Sequence, residues 1–362
     1  MNLKKTFYNK TVIVIGHTGF KGSWLSLWLK ILGAKVIGIS INILPGSSHF
    51  KATKLQNRIK HLKIDIRNLK MLKKTFQKHQ PDYVFHLAAQ ALVKKSYSYP
   101  IYTWTTNTIG TLNVLESLKQ IKKKVYVVII TSDKSYKNLE IKRGYKEDDV
   151  LGGKDPYSAS KASAELAIQS HISSFFSLNR TKVLIGVARA GNVIGGGDWS
   201  EYRLIPDCVK SWSKNKKVLL RNPNSTRPWQ HVLEAIVGYL QLAASIKKNK
   251  RLHGEVFNFG PSNTKNYKVL FVVKLMRKYW KKVSWKVIDR SKNSFYESNL
   301  LKLNINKAKI KLKWKSVLTF KESINMVTEW YKNYYMHPKK IYKTSFNQIK
   351  KYEKLLEKRS LR

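Results

Sequence analysis

The stretch from Thr11 to Leu32 constrains this chain more than any other. Thr11-Val-Ile-Val-Ile15 is an unbroken β-branched and aliphatic run. Such a run reads as a strand buried on both faces of a parallel sheet. Gly16-His-Thr-Gly-Phe-Lys-Gly22 follows at once, and a helical apolar pattern then runs from Trp24 to Leu32. Strand, Gly-rich loop and helix together form the geometry in which backbone N–H groups and a helix N-terminus hold a pyrophosphate. Gly16, Gly19 and Gly22 give the spacing that allows close backbone approach, and Thr18, Phe20 and Lys21 complete the candidate cradle.

The pattern then repeats. Val36–Ile41 reads as a second strand, and Ser40, Ile41 and Asn42 stand where an acid for a ribose 2′-hydroxyl is expected. That loop therefore does not choose between NAD and NADP. A third strand closes with Ile64-Asp65-Ile66-Arg67, which places Asp65 and Ile66 to meet an adenine ring. A fourth, Val84–Gln90, runs through Leu87 into the small Ala88 and Ala89, which permit close approach of a dinucleotide. Thr105–Leu118 is helical, with Asn107 near its start, and the fifth strand, Val125–Ile130, ends in Thr131-Ser-Asp-Lys134. A helix from Tyr157 to about Phe176 and a sixth strand, Lys182–Ala188, follow. Strands alternating with helices predict an α/β fold with a Rossmann-type doubly wound parallel sheet. Beyond Ala188 the alternation becomes irregular, which predicts a smaller C-terminal lobe. The expected division is 1–190 for the dinucleotide-binding domain, with a returning segment near 230–260, and 191–362 for most of the substrate lobe. Val256–Gly260 is the expected returning strand, and Phe346–Leu361 reads as a basic amphipathic helix.

Composition removes some alternatives. The formal charge of +49 would by itself suggest a nucleic-acid partner. The excess is mostly Lys spread along the whole chain, beside many Ile and Asn. All three are read by A/T-rich codons, so base bias accounts for it, and no specific nucleic acid is expected. The longest apolar runs are far too short to span a bilayer, so no membrane partner is expected either. A single cysteine, Cys208, excludes an internal disulfide, and His17, His171 and His231 lack metal-ligand spacing. No metal is assigned, and a cytoplasmic location is expected.

Tyr157-Ser-Ala-Ser-Lys161 supplies reactive groups. Residues four apart share one face of a helix. A phenol has an ordinary pKa of about 10, and a nearby ammonium favours phenolate, so this pair can move protons near neutrality.

Taken together, Gly16–Gly22, His86-Leu-Ala-Ala-Gln90, Asn107, Ser132 and Tyr157-x-x-x-Lys161 resemble the extended short-chain dehydrogenase/reductase superfamily. Within it, Gly16–Trp24, Thr131–Lys134, Asp155–Lys161, Arg189–Trp199, Arg203–Asp207 and Arg227-Pro-Trp-Gln-His-Val232 resemble the CDP-glucose 4,6-dehydratases. The resemblance covers nearly the whole chain. It implies a bound NAD, CDP-glucose as substrate, and loss of water to give CDP-4-dehydro-6-deoxy-glucose. It also implies a homo-oligomer, dimer or tetramer, built through the Asn107 and Tyr157 helices, and a place in deoxysugar and O-antigen synthesis. Tyr157 would be the base at the sugar 4-hydroxyl, and Lys161 would lower its pKa and hold the nicotinamide ribose. Ser132 would hydrogen-bond the same sugar oxygen. Asp133 would be the acid at the 6-hydroxyl and Lys134 the base at C5. A Lys serves as base only where burial or charge lowers its pKa. Arg227, with Arg221, would clamp the diphosphate, since a guanidinium fork suits phosphate oxygens. Gln90, Asn192, Leu204 and Ile205 would line the rest of the substrate site. Another sugar-nucleotide dehydratase or a 4-epimerase remains the alternative, and Asp133 separates the two classes, because epimerases usually lack it. A basic, non-catalytic Rossmann-like protein is the rival from outside the enzymes.

Overall fold

The computed structural model describes residues 2–43, 45–141, 143–179, 181–201, 203–220, 222–261, 267–288 and 301–360. Seven strands make one sheet: β1 (Thr11–Ile15), β2 (Lys35–Ser40), β3 (Lys60–Lys63), β4 (Tyr83–His86), β5 (Val125–Ile130), β6 (Val183–Ala190) and β7 (Val256–Phe259). Their order is β7-β6-β5-β4-β1-β2-β3, and every pairing is parallel. The strand order reverses between β1 and β4. A doubly wound sheet opens a ligand crevice at that point, outside the carboxyl ends of its strands. The expected fold class is thus the observed one, and Val256–Phe259 does return to pair with β6. The third strand ends earlier than its sequence suggested. Asp65–Arg67 lie in the turn after it, where Asp65 and Arg67 bond each other instead of extending the ladder. Edge strand β3 carries exposed Lys60 and Lys63, which discourages pairing with another chain.

Helices cover both faces. On one side Leu72, Phe76, Val114, Leu115, Leu118 and Ile168 pack against Ile13, Ile15, Val127 and Ile129. On the other, the helices Phe20–Ile31 and Val232–Lys248 pack against Val12, Val14, Val128 and Ile130. Helix Val232–Lys248 is buried almost all round, because later segments cover its outer side. The basic C-terminal helix spans Ile341–Ser360 and lies back against helix Phe20–Ile31. There Trp28 Nε1 donates to Glu353 Oε1 at 2.8 Å, and Tyr352 Oη donates to Glu234 Oε2 at 2.7 Å. No helix among the described residues is long and apolar enough to cross a membrane.

Burial leaves several histidines neutral. Desolvation pushes His49, His86 and His231 down to about 3, and His17 down to about 4. An unfolded imidazole takes its proton near pH 6.5. Below that pH the unfolded chain binds more protons than the native one, so stability falls as pH falls. The melting temperature at about pH 5 should therefore lie several degrees below that at about pH 7.5. Equal melting temperatures would contradict the neutral burial of these rings.

Candidate active site

The loop after β1 is built for close backbone approach. Gly16 has φ +89°, and a Cβ there would stand 2.6 Å from the Ala88 backbone nitrogen. The loop therefore lies directly on the chain leaving β4, across the switch point. Gly19 N–H donates to the Gly16 carbonyl at 3.1 Å. A Cβ on Gly22 would fall deep inside contact with that same carbonyl. Helix Phe20–Ile31 starts at Gly19 with no side-chain cap and no acid in its first turn. Its first N–H groups are thus left for an anion, and this cradle fits the pyrophosphate of a dinucleotide. Thr18 Oγ1 bonds Ser40 Oγ at 2.7 Å and Asn42 O at 3.0 Å, which ties the loop to the end of β2 where the expected acid is missing. Asp65 keeps a partly exposed carboxylate on an open groove lined also by Asn68, Tyr102, Thr105 and Ile109.

Helix Pro156–Phe175 begins with Asp155 accepting from Ser158 N at 3.0 Å and Pro156 in its first turn. That start places Tyr157 and Lys161 on the inward face, both nearly fully buried. The Ser132 hydroxyl stands beside the Tyr157 phenol and favours its ionised form. It also donates to Asp133 Oδ1 at 3.0 Å and accepts from Lys134 N at 3.2 Å. The other Asp133 oxygen lies against Gly191, where an added Cβ would stand 3.0 Å from it. Ser132, Asp133, Tyr157 and Lys161 therefore meet in one chamber, with Lys134 on its half-buried side.

The Tyr157 phenol does not move as its sequence neighbour suggested. Burial pushes it up to about 12, Asp133 adds to the rise, and Ser132 and Arg203 only partly oppose it. Lys161 is itself weakened to about 8 by burial and by the like charge of Lys21, with Glu165 opposing. Burial also raises the Asp133 carboxyl, against the pull of Lys134, Ser132 and Lys21. A raised carboxyl is what a general acid needs.

Two groups outside the expected set hold this chamber. Glu165, one turn beyond Lys161, accepts from Thr131 Oγ1 and Ser135 Oγ, each at 2.7 Å. It also pairs with Arg189 through Nε, at 2.8 and 2.9 Å, and through Nη2. Arg189 continues to the Glu147 carbonyl at 2.9 Å and lies over the Tyr136 ring at 4.5 Å. Both ends of the Ser132–Lys134 turn are thus fastened to the Tyr157 helix. Glu165→Gln would leave the Arg189 charge buried and unbalanced, at a cost of about 3–5 kcal/mol. Urea unfolding should show a clearly lower midpoint, and an unchanged one would refute this role. The four-residue spacing from Lys161 was the sequence signal for Glu165. Arg203 is the second group. It pairs with buried Asp198 at 2.9 Å and acts on Tyr157, and its place just before Leu204-Ile-Pro206 was the clue.

Asn107 and Gln90 bond each other. Asn107 accepts from Gln90 N at 2.8 Å and donates to Gln90 O at 3.1 Å and Ser160 Oγ at 2.9 Å. Gln90 Nε2 donates to Leu92 O and Thr103 Oγ1, and its Oε1 accepts from Leu92 N. These bonds lock the end of β4 to the Tyr157 helix. Asn107 sits in a π-helical turn, Thr105–Ile109, rather than in a regular helix. Leu204 and Ile205 open a helix, Leu204–Ser213, with Ile205 buried and Leu204 half-buried. The Asn192 carbonyl accepts from Gln230 N at 2.9 Å, which brings the end of β6 to the segment carrying Arg227. Arg227 Nη1 donates to Thr226 O at 2.9 Å. Arg221 lies outside the described residues.

Comparison with known proteins places this geometry. A protein-family model described as GDP-mannose 4,6 dehydratase matches residues 13–327. The CDP-glucose 4,6-dehydratase of Salmonella typhimurium is 42% identical over 333 residues, 91% of this chain and 92% of that protein. The dTDP-glucose 4,6-dehydratase of Haemophilus influenzae is 26% identical over 88% of this chain and 97% of its own length. Among solved structures, an epimerase from Methanothermobacter thermautotrophicus superposes with a TM-score of 0.79 at 23% identity, covering 94% of this chain and 97% of its own. The UDP-glucose 4-epimerase of Thermotoga maritima superposes at 0.76, also at 23% identity, over 89% of this chain and 99% of its own. At that identity the structures speak for the fold alone. The family match over residues 13–327 and a 42% relative spanning nearly the full length carry more, and by them this chain belongs to the GDP-mannose 4,6 dehydratase family.

Proposed function

We propose that this chain dehydrates CDP-glucose to CDP-4-dehydro-6-deoxy-glucose. The observation that carries the reading is Asp133, a buried carboxyl with a raised pKa, hydrogen-bonded to Ser132 in the chamber of Tyr157 and Lys161. Support for the nucleotide comes from the 42% identical relative, which bears the name CDP-glucose 4,6-dehydratase.

Gly16–Gly22 would hold the pyrophosphate of NAD, with Asp65 and Ile66 at its adenine, Leu87–Ala89 along its path, and Lys161 at its nicotinamide ribose. When bound, NAD supplies the acceptor for a hydride from C4 and its return to C6. Tyr157 takes the proton of the 4-hydroxyl, and Ser132 holds that oxygen. The carbonyl formed at C4 acidifies the C5 proton, and Lys134 takes it. Asp133 gives its proton to the 6-hydroxyl as water departs. Arg227, Asn192, Leu204 and Ile205 hold the CDP moiety, joined by Arg203. Residues 191–362 supply most of that lobe, and the work belongs in the cytoplasm.

CDP-glucose deuterated at C4 tests the sequence of steps. The label should reappear at C6 of the same molecule. Label kept at C4, or lost to water, would reject the mechanism.

The protein also works as a homo-oligomer in this reading. Ile101, Trp104, Ile109 and Leu166 are exposed on the helices carrying Asn107 and Tyr157, whereas Leu115 and Ile168 are core. A monomer by light scattering at working concentration would reject that assembly.

A further inference from the structure

Lys21 follows the Gly-rich loop, in the first turn of helix Phe20–Ile31, and its ammonium faces helix Val232–Lys248. Its ammonium stands 6.0 Å from the centre of the Tyr239 ring. It is close enough to act on Asp133, Arg203 and Lys161. Four elements present groups there. The turn after β5 brings Asp133 and also Lys134, which acts on Asp133 more strongly than Lys21 does. The Tyr157 helix brings Lys161, with Glu165 behind it. The segment before helix Leu204–Ser213 brings Arg203, paired with Asp198. Helix Val232–Lys248 brings Tyr239, whose buried hydroxyl has no hydrogen-bond partner among the described residues. Of these groups, Asp133 is the one acid that acts directly on Lys21. Burial and Arg203 weaken the Lys21 ammonium to about 8, which leaves it mostly protonated at neutral pH.

We propose that Lys21 is a positioning residue for the elimination step, a second counter-charge, beside Lys134, to the carboxylate that forms when Asp133 gives up its proton. The proposal rests on the reading of Asp133 as the acid. In that step the C6–O bond breaks, and its electron pair and the Asp133 proton leave as water. The C5–H pair becomes the C5–C6 double bond, and the C5 proton goes to the base. Asp133 ends the step as an anion in a chamber from which water is largely excluded. A fixed cation nearby lowers the energy of that charge far more than it would in bulk water. Lys21 keeps its proton throughout and touches no reacting atom.

The test is the pH profile of water loss for Lys21→Met, Lys21→Arg and Asp133→Asn, with C4 oxidation followed separately. Removing this half-buried ammonium should not impair folding, because its desolvation cost goes with it. Lys21→Met should slow water loss on the order of tenfold to a hundredfold. Without the cation Asp133 holds its proton more tightly, so the alkaline limb of that profile should move up by about one pH unit. Lys21→Arg keeps the charge and should return the limb to its wild-type place. A limb that stays put in Lys21→Met, beside a slowed Asp133→Asn, removes this proposal alone. Water loss at the wild-type rate in Asp133→Asn removes the acid reading and this proposal with it.

Discussion

Tyr157→Phe is expected to stop turnover while the protein remains folded and still binds dinucleotide. The ring is buried and the change keeps its packing, so the melting temperature should hold or rise. What disappears is the phenol oxygen beside Ser132, the group that takes the 4-hydroxyl proton. General base catalysis contributes about 10²–10⁴-fold, and every later step waits on C4 oxidation. Oxidation, water loss and product formation should therefore fall together. With the phenol raised to about 12 in the free protein, phenolate has to be favoured by what binds there. The rate of C4 oxidation should accordingly rise with pH across the neutral range. A Phe variant with retained oxidation would move the base elsewhere.

Asp133→Asn is expected to separate the two halves of the reaction. Asn keeps the shape and can still accept from Ser132, but it has no proton to give the leaving hydroxyl. Water loss should fall by about 10²–10⁴-fold. C4 oxidation should hold, because Asn keeps the shape of the neutral acid beside Ser132 and Tyr157. The oxidised sugar and reduced nicotinamide should then accumulate, and the absorbance of the latter reports it. Equal loss of both steps would show that Asp133 shapes the chamber instead of acting as its acid.

Much of this was legible in the sequence, for a physical reason. β1, the Gly-rich loop and helix Phe20–Ile31 are adjacent in the chain, so their spacing already describes their geometry. Tyr157 and Lys161 likewise share one helical turn. The chamber's supports were harder to read, because they join distant segments. Glu165 reaches Arg189 across 24 residues, and Asn107 reaches Ser160 across 53. No local pattern reports such pairs. The structure also engages the amides of Asn107 and Gln90 in holding the end of β4, a role that no local pattern announces. The direction of the Tyr157 shift was also beyond local reading. Spacing places an ammonium nearby, but only the fold sets how deeply the phenol is buried, and burial decides here.

The central claim is water loss from CDP-glucose, and a side-by-side substrate panel tests it most directly. Purified protein with added NAD would meet CDP-glucose, dTDP-glucose, UDP-glucose and GDP-mannose, with products read by mass. The account predicts that CDP-glucose loses one water and that the other three do so far more slowly or not at all. A product of unchanged mass and altered stereochemistry, or water lost chiefly from another nucleotide sugar, would contradict it.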